Sequence, residues 1–385
     1  MVLCACPYVV SQTSDAEKII QEVGVKYVPD RRVSIYDVEA LSEGATFVLK
    51  GKISDHRVYK NLVDTLKKVF PSFIDSVQFL PSVAIGERCW SFVSLSVIYI
   101  YKKPSYSSEM VTQALMGTPV KLLDKVRGGW SQIQTPDGYI GWTDTYLQKI
   151  TVEERKRYNA KSKAIVTARN TLVYENRYKN SSVVADVLMG NILLLDGKYE
   201  KEQYYCAVTL PDGRKGYVLS REIVPLNQWK SLVRLTGDDL VNLAKEFVGL
   251  PYFWGGVSPN GVDCSGLCKM TYFMHGIILP RDASQQYLCG VEVDTSQGLE
   301  KLQKGDLLFF GKPKIEDSGQ IAVSHVGMYL GNNKFIHSSN TVHISSFDPR
   351  STDYDQYNHK RFVGAKRIVG NKNGFWSVFD FEWYK

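Results

Sequence analysis

Gly249-Leu-Pro-Tyr-Phe-Trp-Gly-Gly256 and, after four intervening residues, Gly261-Val-Asp-Cys-Ser-Gly-Leu267 decide how this chain is read. Glycine and proline at this density make a loop. The spacing of Leu267, Met270, Thr271 and Met274 behind it predicts a helix that Gly276 ends. Cys264 then falls in the helix's first turn, where unpaired N–H groups and the positive dipole end favour a thiolate and should lower the thiol pKa. The same N–H groups can donate to an oxyanion. Thiolate chemistry also needs a base that takes the proton and returns it to a leaving amine. Ser324-His-Val-Gly-Met-Tyr-Leu-Gly331 and Lys334-Phe-Ile-His-Ser-Ser339 read as two strands joined by a tight Gly-Asn-Asn turn. His325 and His337, 12 residues apart (337 − 325), then lie on adjacent strands. One can pair with Cys264 while the other orients the ring, with the hairpin register left open.

Upstream, residues 237–247 carry helical spacing after a linker near 225–231. The segment from there to the end reads helix, loop, helix, then strands, which describes an α+β domain at 235–385. The middle of the chain is an internal repeat. Ala114-Leu-Met-Gly117 recurs as Val187-Leu-Met-Gly190, an offset of 73 (190 − 117). Thr135-Pro-Asp-Gly-Tyr-Ile-Gly-Trp142 recurs as Leu210-Pro-Asp-Gly-Arg-Lys-Gly-Tyr217, an offset of 75 (217 − 142). Alternating strands lie between these anchors, and Pro-Asp-Gly is turn chemistry between short strands. Two all-β barrels are expected, at 86–152 and 153–228, and the pattern resembles bacterial SH3 domains. Residues 1–85 read as a small α/β domain. Its helices are expected at 15–23 and 55–70, the second with Val58, Leu62, Leu66 and Val69 on one face, and its strands at 46–49 and 76–80.

The length of 385 residues suits a multidomain chain, and 44% hydrophobic with 23% charged residues suits real cores. The net charge of +7 is spread without a dense basic run, so nucleic acid is not an expected partner. The seven cysteines have no CxxC pair beside a second pair or a His partner, so neither a zinc site nor another metal site is expected. Their odd number and scattered spacing also argue against a disulfide framework. No apolar run approaches the ~18 residues a spanning helix needs, so no transmembrane segment is expected. Leu3-Cys4-Ala5-Cys6 resembles the end of a lipoprotein signal, although only five residues precede Cys6. The expected location is the cell envelope or periplasm, with Cys6 as the lipidation site; the cytoplasm is the alternative.

Pro251-Tyr-x-Trp-Gly-Gly, Asp263-Cys-Ser-Gly266, Leu279-Pro-Arg281, Gly305-Asp-Leu-Leu-Phe-Phe310, His325-Val-Gly-x-Tyr-x-Gly331 and Phe335-Ile-His337 occur in order over about 235–368. Together they resemble the NlpC family of papain-like cell-wall cysteine peptidases. The resemblance implies Cys264 as nucleophile, His325 as base and His337 as the orienting residue, with no cofactor. The whole layout is similar to a subgroup of γ-D-glutamyl-L-diamino acid endopeptidases with two SH3 copies. These cleave murein stem peptides carrying a free N-terminal L-Ala. That likeness implies Asp263 and a first-copy acid, Glu87 by motif position, as amine partners. It implies Ser265 and Arg281 as partners of the γ-D-Glu carboxylate, Tyr252 as a cleft residue, and Tyr139 or Trp142 as the aromatic that closes the site. A monomer is expected. The alternatives are muramoyl–L-Ala amidase action or general wall hydrolysis on the same fold, and a wall-binding protein without catalysis.

Overall fold

The computed structural model describes residues 7–43, 46–126, 128–178, 180–312 and 321–385. The Cys4 and Cys6 motif lies outside them. In the N-terminal unit α1 (Pro7–Tyr27) and α2 (His56–Val69) pack on a sheet of β1 (Tyr36–Glu43), β2 (Thr46–Ile53) and β3 (Ile74–Phe79). β1 runs antiparallel to β2, and β3 runs parallel to it. Asp55 caps α2 by accepting from the Arg57 N–H at 2.7 Å. Val58, Leu62 and Leu66 are buried, as their spacing requires, but Val69 is exposed. Phe70 leaves the helical path at the C-cap and enters the core in its place, against Phe47.

The repeat appears as two sheets of the same plan. The first holds β4 (Trp90–Phe92), β5 (Val97–Tyr101), β6 (Met110–Leu115), β7 (Pro119–Lys125), β8 (Ser131–Gln134) and β9 (Ile140–Thr143). Helix α3 (Val152–Asn159) leads to β10 (Lys163–Val166), β11 (Asn170–Tyr174), β12 (Val183–Leu188), β13 (Ile192–Leu195), β14 (Tyr205–Thr209), β15 (Lys215–Leu219) and β16 (Ile223–Pro225). The orders are β6-β5-β9-β8-β7-β4 and β12-β11-β15-β14-β13-β10-β16, the same sequence of equivalents with one strand added. Tyr101 pairs with Trp142 as Tyr174 pairs with Tyr217, each beside a register shift in the same place. Closed barrels were expected; among the described residues neither sheet closes. Edge strand β6 is instead covered by the C-terminal domain, whose Val257 N–H donates to Gln113 Oε1 at 2.9 Å.

After α4 (Leu226–Leu232) comes the C-terminal domain. Its helices are α5 (Gly237–Lys245), α6 (Cys264–Phe273) and α7 (Ala283–Gln286), with the short hairpin β17 (Val257–Ser258) and β18 (Gly261–Val262) before α6 and β19 (Ile277–Ile278) after it. A six-stranded antiparallel sheet follows: β20 (Val291–Val293), β21 (Leu307–Lys312), β22 (Ala322–Gly331), β23 (Lys334–Ser339), β24 (Thr341–Ser346) and, past α8 (Gln356–Arg361), β25 (Phe362–Arg367). The order is β20-β25-β21-β22-β23-β24. Helix α6 lies against β22 and β23, with Leu267, Cys268 and Met270 in one core with Val326, Met328 and Ile336. That packing brings the helix start up to the histidine hairpin.

Candidate active site

Asp263 is the N-cap of α6, in extended backbone, and its Oδ1 accepts from the Gly266 N–H at 2.7 Å. Only glycine fits at 266, because a Cβ there would stand 1.9 Å from the Gly256 carbonyl oxygen. Cys264 is therefore the first residue of the helix, presented on a tight loop-to-helix junction and buried at 9% exposure. Helix placement alone suggested a lowered thiol pKa. The structure gives the opposite direction: burial, then the neighbouring Asp263 charge, push Cys264 up to about 12. Hydrogen bonds from the Val326 and Ser265 backbones and the charge of Arg281 oppose this without overcoming it.

The register left open by sequence is set by Met328 opposite Ile336 and by an Asn332-Asn333 turn with φ of 51° and 58°. His325 Nε2 lies 2.8 Å from His337 Nδ1, and His337 Nε2 lies 3.0 Å from Ser345 Oγ. The Asp355 carboxylate stands 3.7 Å behind His337. His325 Nδ1 is then the ring nitrogen left for the thiol. The tautomers that leave His325 Nδ1 a lone pair for the thiol have His325 Nε2–H donating to His337 and His337 Nε2–H donating to Ser345. Burial, then the positive field of Arg361, lowers His325 to about 4. Burial lowers His337 to about 2, with His325 and His343 adding to it. Both imidazoles are neutral bases near neutral pH, and Cys264 beside them is a thiol.

Asp263 and Arg281 form a buried pair at 2.5 Å under the cleft floor. Arg281 is 1% exposed, and every guanidinium nitrogen is engaged: Nε with Thr112 Oγ1, Nη1 with Ser265 Oγ and Asp263, Nη2 with Asp263. The Asp263 oxygens also accept from the Gly255 and Gly266 N–H groups and from Ser265 Oγ. That fills the roughly four lone-pair sites of a carboxylate. Asp263, Ser265 and Arg281 thus brace the helix start and are spent on one another, which leaves little for a substrate ammonium or carboxylate.

A cleft of about 1070 Å³ opens above Cys264 and His325, with Asp263, Ser265 and Tyr252 at its base. Tyr139 and Trp142 both line it from the first repeat sheet, so the structure brings together the two aromatics between which the sequence did not choose. Glu87 is not there. It is exposed in the turn before β4, the strand at the other end of the sheet from β5 and β6. The acid that the first sheet places in the cleft is Glu109, which accepts from Trp254 Nε1 at 3.2 Å and faces Lys102 at 3.5 Å.

Residues 249–367 match the NlpC/P60 family, and residues 100–145 match the bacterial dipeptidyl-peptidase Sh3 domain. A γ-D-glutamyl-L-lysine dipeptidyl-peptidase of Bacillus cereus is 32% identical over 309 residues, 77% of this chain and 82% of the relative. The chain belongs to the NlpC/P60 family. A protein of the same name from Bacillus subtilis is 30% identical over 238 residues, 60% of this chain and 72% of the relative. The crystal structure of an NlpC/P60 family protein from Bacillus cereus superposes with a TM-score of 0.61 at 26% identity, covering 73% of this chain and 99% of that one.

This NlpC/P60 peptidase is thus a multidomain cell-wall hydrolase with an SH3-like domain ahead of its C-terminal peptidase domain. Sequence reading assigned no role to two groups that stand beside the histidine row or the cleft. His343 lies opposite His337 on β24 with ring centroids 4.3 Å apart. Residues 30–32 of the N-terminal unit form another wall: the Ile140 N–H donates to the Arg32 carbonyl at 2.7 Å, and Arg32 Nη1 bonds Asp282 at 2.8 Å and Ser284 at 2.9 Å. The paired Asp-Arg-Arg charges were visible, but nothing local tied them to a site more than 200 residues away in the chain.

Proposed function

We propose that this protein is a cysteine endopeptidase that hydrolyses the γ-D-glutamyl–L-diamino acid bond of murein stem peptides bearing a free N-terminal L-Ala. The observation that carries this reading is the row Cys264, His325, His337 at a helix start, facing a cleft whose opposite wall is a repeat sheet carrying Glu109. The relatives named γ-D-glutamyl-L-lysine dipeptidyl-peptidases support the bond type. The domain division we propose is 1–85, an SH3-like unit at 86–152, a second SH3-like unit at 153–228 that shares its strand plan, and the peptidase unit from 235. The envelope is the proposed compartment, and the molecule acts as a monomer.

In the proposed reaction His325 Nδ1 takes the Cys264 proton as the sulfur attacks the γ-glutamyl carbonyl carbon. The oxyanion is met by N–H groups at the start of α6. His337 accepts from His325 Nε2–H throughout and so fixes the ring and steadies the imidazolium. Collapse expels the diamino acid's amine, which leaves with the proton from His325. Water, deprotonated by the same nitrogen, then opens the thioester and returns the thiol. With the thiol high and the imidazole low, the ion pair forms during attack and is not stored in the resting enzyme.

Glu109 is proposed to meet the substrate's ammonium, with Tyr139, Trp142 and Tyr252 walling that end. Asp263, with Ser265 and Arg281, holds the helix start beneath. The test is mass-spectrometric digestion of L-Ala-γ-D-Glu-diaminopimelate and its L-lysine counterpart. Release of L-Ala-γ-D-Glu supports the reading; cleavage only at a muramoyl–L-Ala bond would move the protein to the amidases.

A further inference from the structure

We propose that Arg31, contributed by the N-terminal α/β unit, reads a free carboxylate of the bound peptide; this rests on the peptide-hydrolase reading above. The cleft's charges are nearly all accounted for internally. Arg32 is spent on Asp30 at 2.7 Å and Asp282 at 2.8 Å. Lys102 faces Glu109 at 3.5 Å, and Asp263 is neutralised from below by Arg281. Among the described residues Arg31 is then the one cation lining the cleft without a carboxylate within ion-pair distance. A stem peptide brings an ammonium at one end and carboxylates on its γ-linked glutamate and on its diamino acid. An uncompensated guanidinium on one wall, with Glu109 on the wall of the first repeat sheet, matches that charge distribution.

The residue is seated as well as exposed. Its guanidinium packs over the Tyr36 ring at 5.8 Å, and Tyr36 is fixed in turn by its hydroxyl on the Ile20 carbonyl at 2.8 Å. Gly24 in α1 makes the room: a Cβ there would stand 3.2 Å from Arg31 Nη2 and 2.9 Å from the Tyr36 ring. The next residue is sewn to β9 through its carbonyl and to the helix α7 cap through its side chain. Arg31 is therefore carried on a loop with little freedom to retreat, and a preorganised guanidinium loses little entropy on gripping a carboxylate. In this picture the N-terminal unit takes part in substrate choice as a third wall of the site. Arg281, which the sequence resemblance put forward for a carboxylate, is saturated in the structure. Arg31 is free.

The experiment compares wild-type, Arg31→Gln and Arg31→Lys full-length proteins on three peptides. These are L-Ala-γ-D-Glu-diaminopimelate, its C-terminal amide, and the analogue with the glutamate α-carboxylate converted to an amide. Loss of one charge-assisted contact should lower kcat/KM of Arg31→Gln on the parent by about tenfold or more, carried by KM. The same substitution should change kcat/KM by less than about twofold on the amide that lacks the contacted carboxylate, with Arg31→Lys in between on the parent. An equal loss on all three peptides, or no loss on the parent, overturns the assignment. Binding of the same peptides to Cys264→Ala protein, with and without Arg31→Gln, gives the comparison without turnover. A wild-type enzyme inactive on all three would thus sink the hydrolase reading, while the binding pattern still decides Arg31. Binding that is absent, or indifferent to Arg31, overturns it.

Discussion

Lys269, five residues along the helix that Cys264 begins (269 − 264), forms a buried ion pair with Asp137 at 2.9 Å. It crosses from the peptidase domain to the Pro-Asp-Gly turn of the first repeat sheet. The equivalent Asp212 of the second copy only pairs with Arg214 at the surface. Asp137 also accepts from Thr135 Oγ1, and from the N–H of Tyr139, a cleft residue, at 3.4 Å. Burial alone would raise its pKa, but Lys269 and these donors hold the carboxyl below its ordinary value. Asp137→Ala should therefore leave an uncompensated buried ammonium and cost about 3–5 kcal/mol, whereas Asp137→Leu with Lys269→Met should recover most of it. Denaturant unfolding of the single and double variants checks this. Because Tyr139 moves with the turn, the single variant should raise KM more than it lowers kcat.

Cys264→Ala should abolish peptide hydrolysis while leaving the far-ultraviolet circular dichroism unchanged, because the side chain touches the cleft at the first helical position. More than a few per cent residual turnover would remove Cys264 from the mechanism. His325→Ala should be nearly as damaging. His337→Ala leaves the general base in place and removes only its acceptor, so a smaller loss is expected, about 10–100-fold. Equal losses at the two histidines would show that the roles are assigned the wrong way round.

The depressed histidine pKa values give two pH dependences. His325 stays a neutral base as pH falls through 6.5, so kcat/KM should hold steady there and decline only as pH nears about 4. Stability should behave differently. The unfolded chain protonates His325 near 6.5 and the folded one only near about 4, so between these values the unfolded state binds more protons. Stability is then complete above 6.5 and falls as pH drops toward 4, by a few kcal/mol in order of magnitude for each buried histidine. His337→Phe should flatten that slope. Unfolding measured at pH 7 and pH 5 on both proteins decides it, and an unchanged difference would mean that His337 is not the buried neutral base described here.

What was legible in the sequence is what is local. Cys264 could be placed on a helix start because the glycine- and proline-rich loop before it and the apolar spacing after it are both local. The histidine hairpin was legible because Asn-Asn supplies the left-handed turn, and the repeat because Pro-Asp-Gly recurs. Most of what needed one domain's position on another was hidden, and only the resemblance put Tyr139 or Trp142 of the first repeat at the cleft. Glu109 and Glu87 are both acids of the first repeat unit, and only the strand order shows that one flanks an edge strand at the cleft and the other lies by the opposite edge. The resemblance offered Arg281 to a substrate carboxylate, and its partners, Thr112 and Asp263, come from other elements that the residues around it do not reveal. The thiol pKa went the other way from the helix-start argument for a similar reason: burial under the cleft walls is a tertiary quantity.

That distinction between two glutamates carries the sharpest prediction. If Glu109 meets the ammonium of the N-terminal L-Ala, acetylation removes the charge and adds bulk at a walled end of the cleft. Glu109 is then left facing an amide, and the acetylated or muramoyl-linked peptide should be cleaved at least about 100-fold more slowly, which is ~2.7 kcal/mol at 1.36 kcal/mol per decade. Glu109→Gln should shrink that ratio by weakening the free peptide while barely altering the blocked one, since only the free peptide uses the charge. Glu87→Gln should leave both rates within about twofold of wild type, as expected for an exposed surface substitution outside the cleft. Steady-state kinetics on the paired peptides with the three proteins measures all of this. Discrimination that persists in Glu109→Gln but vanishes in Glu87→Gln would return the amine to the residue that motif position first suggested. Comparable kcat/KM for free and blocked peptides would remove the amine pocket altogether and make this protein a general wall hydrolase.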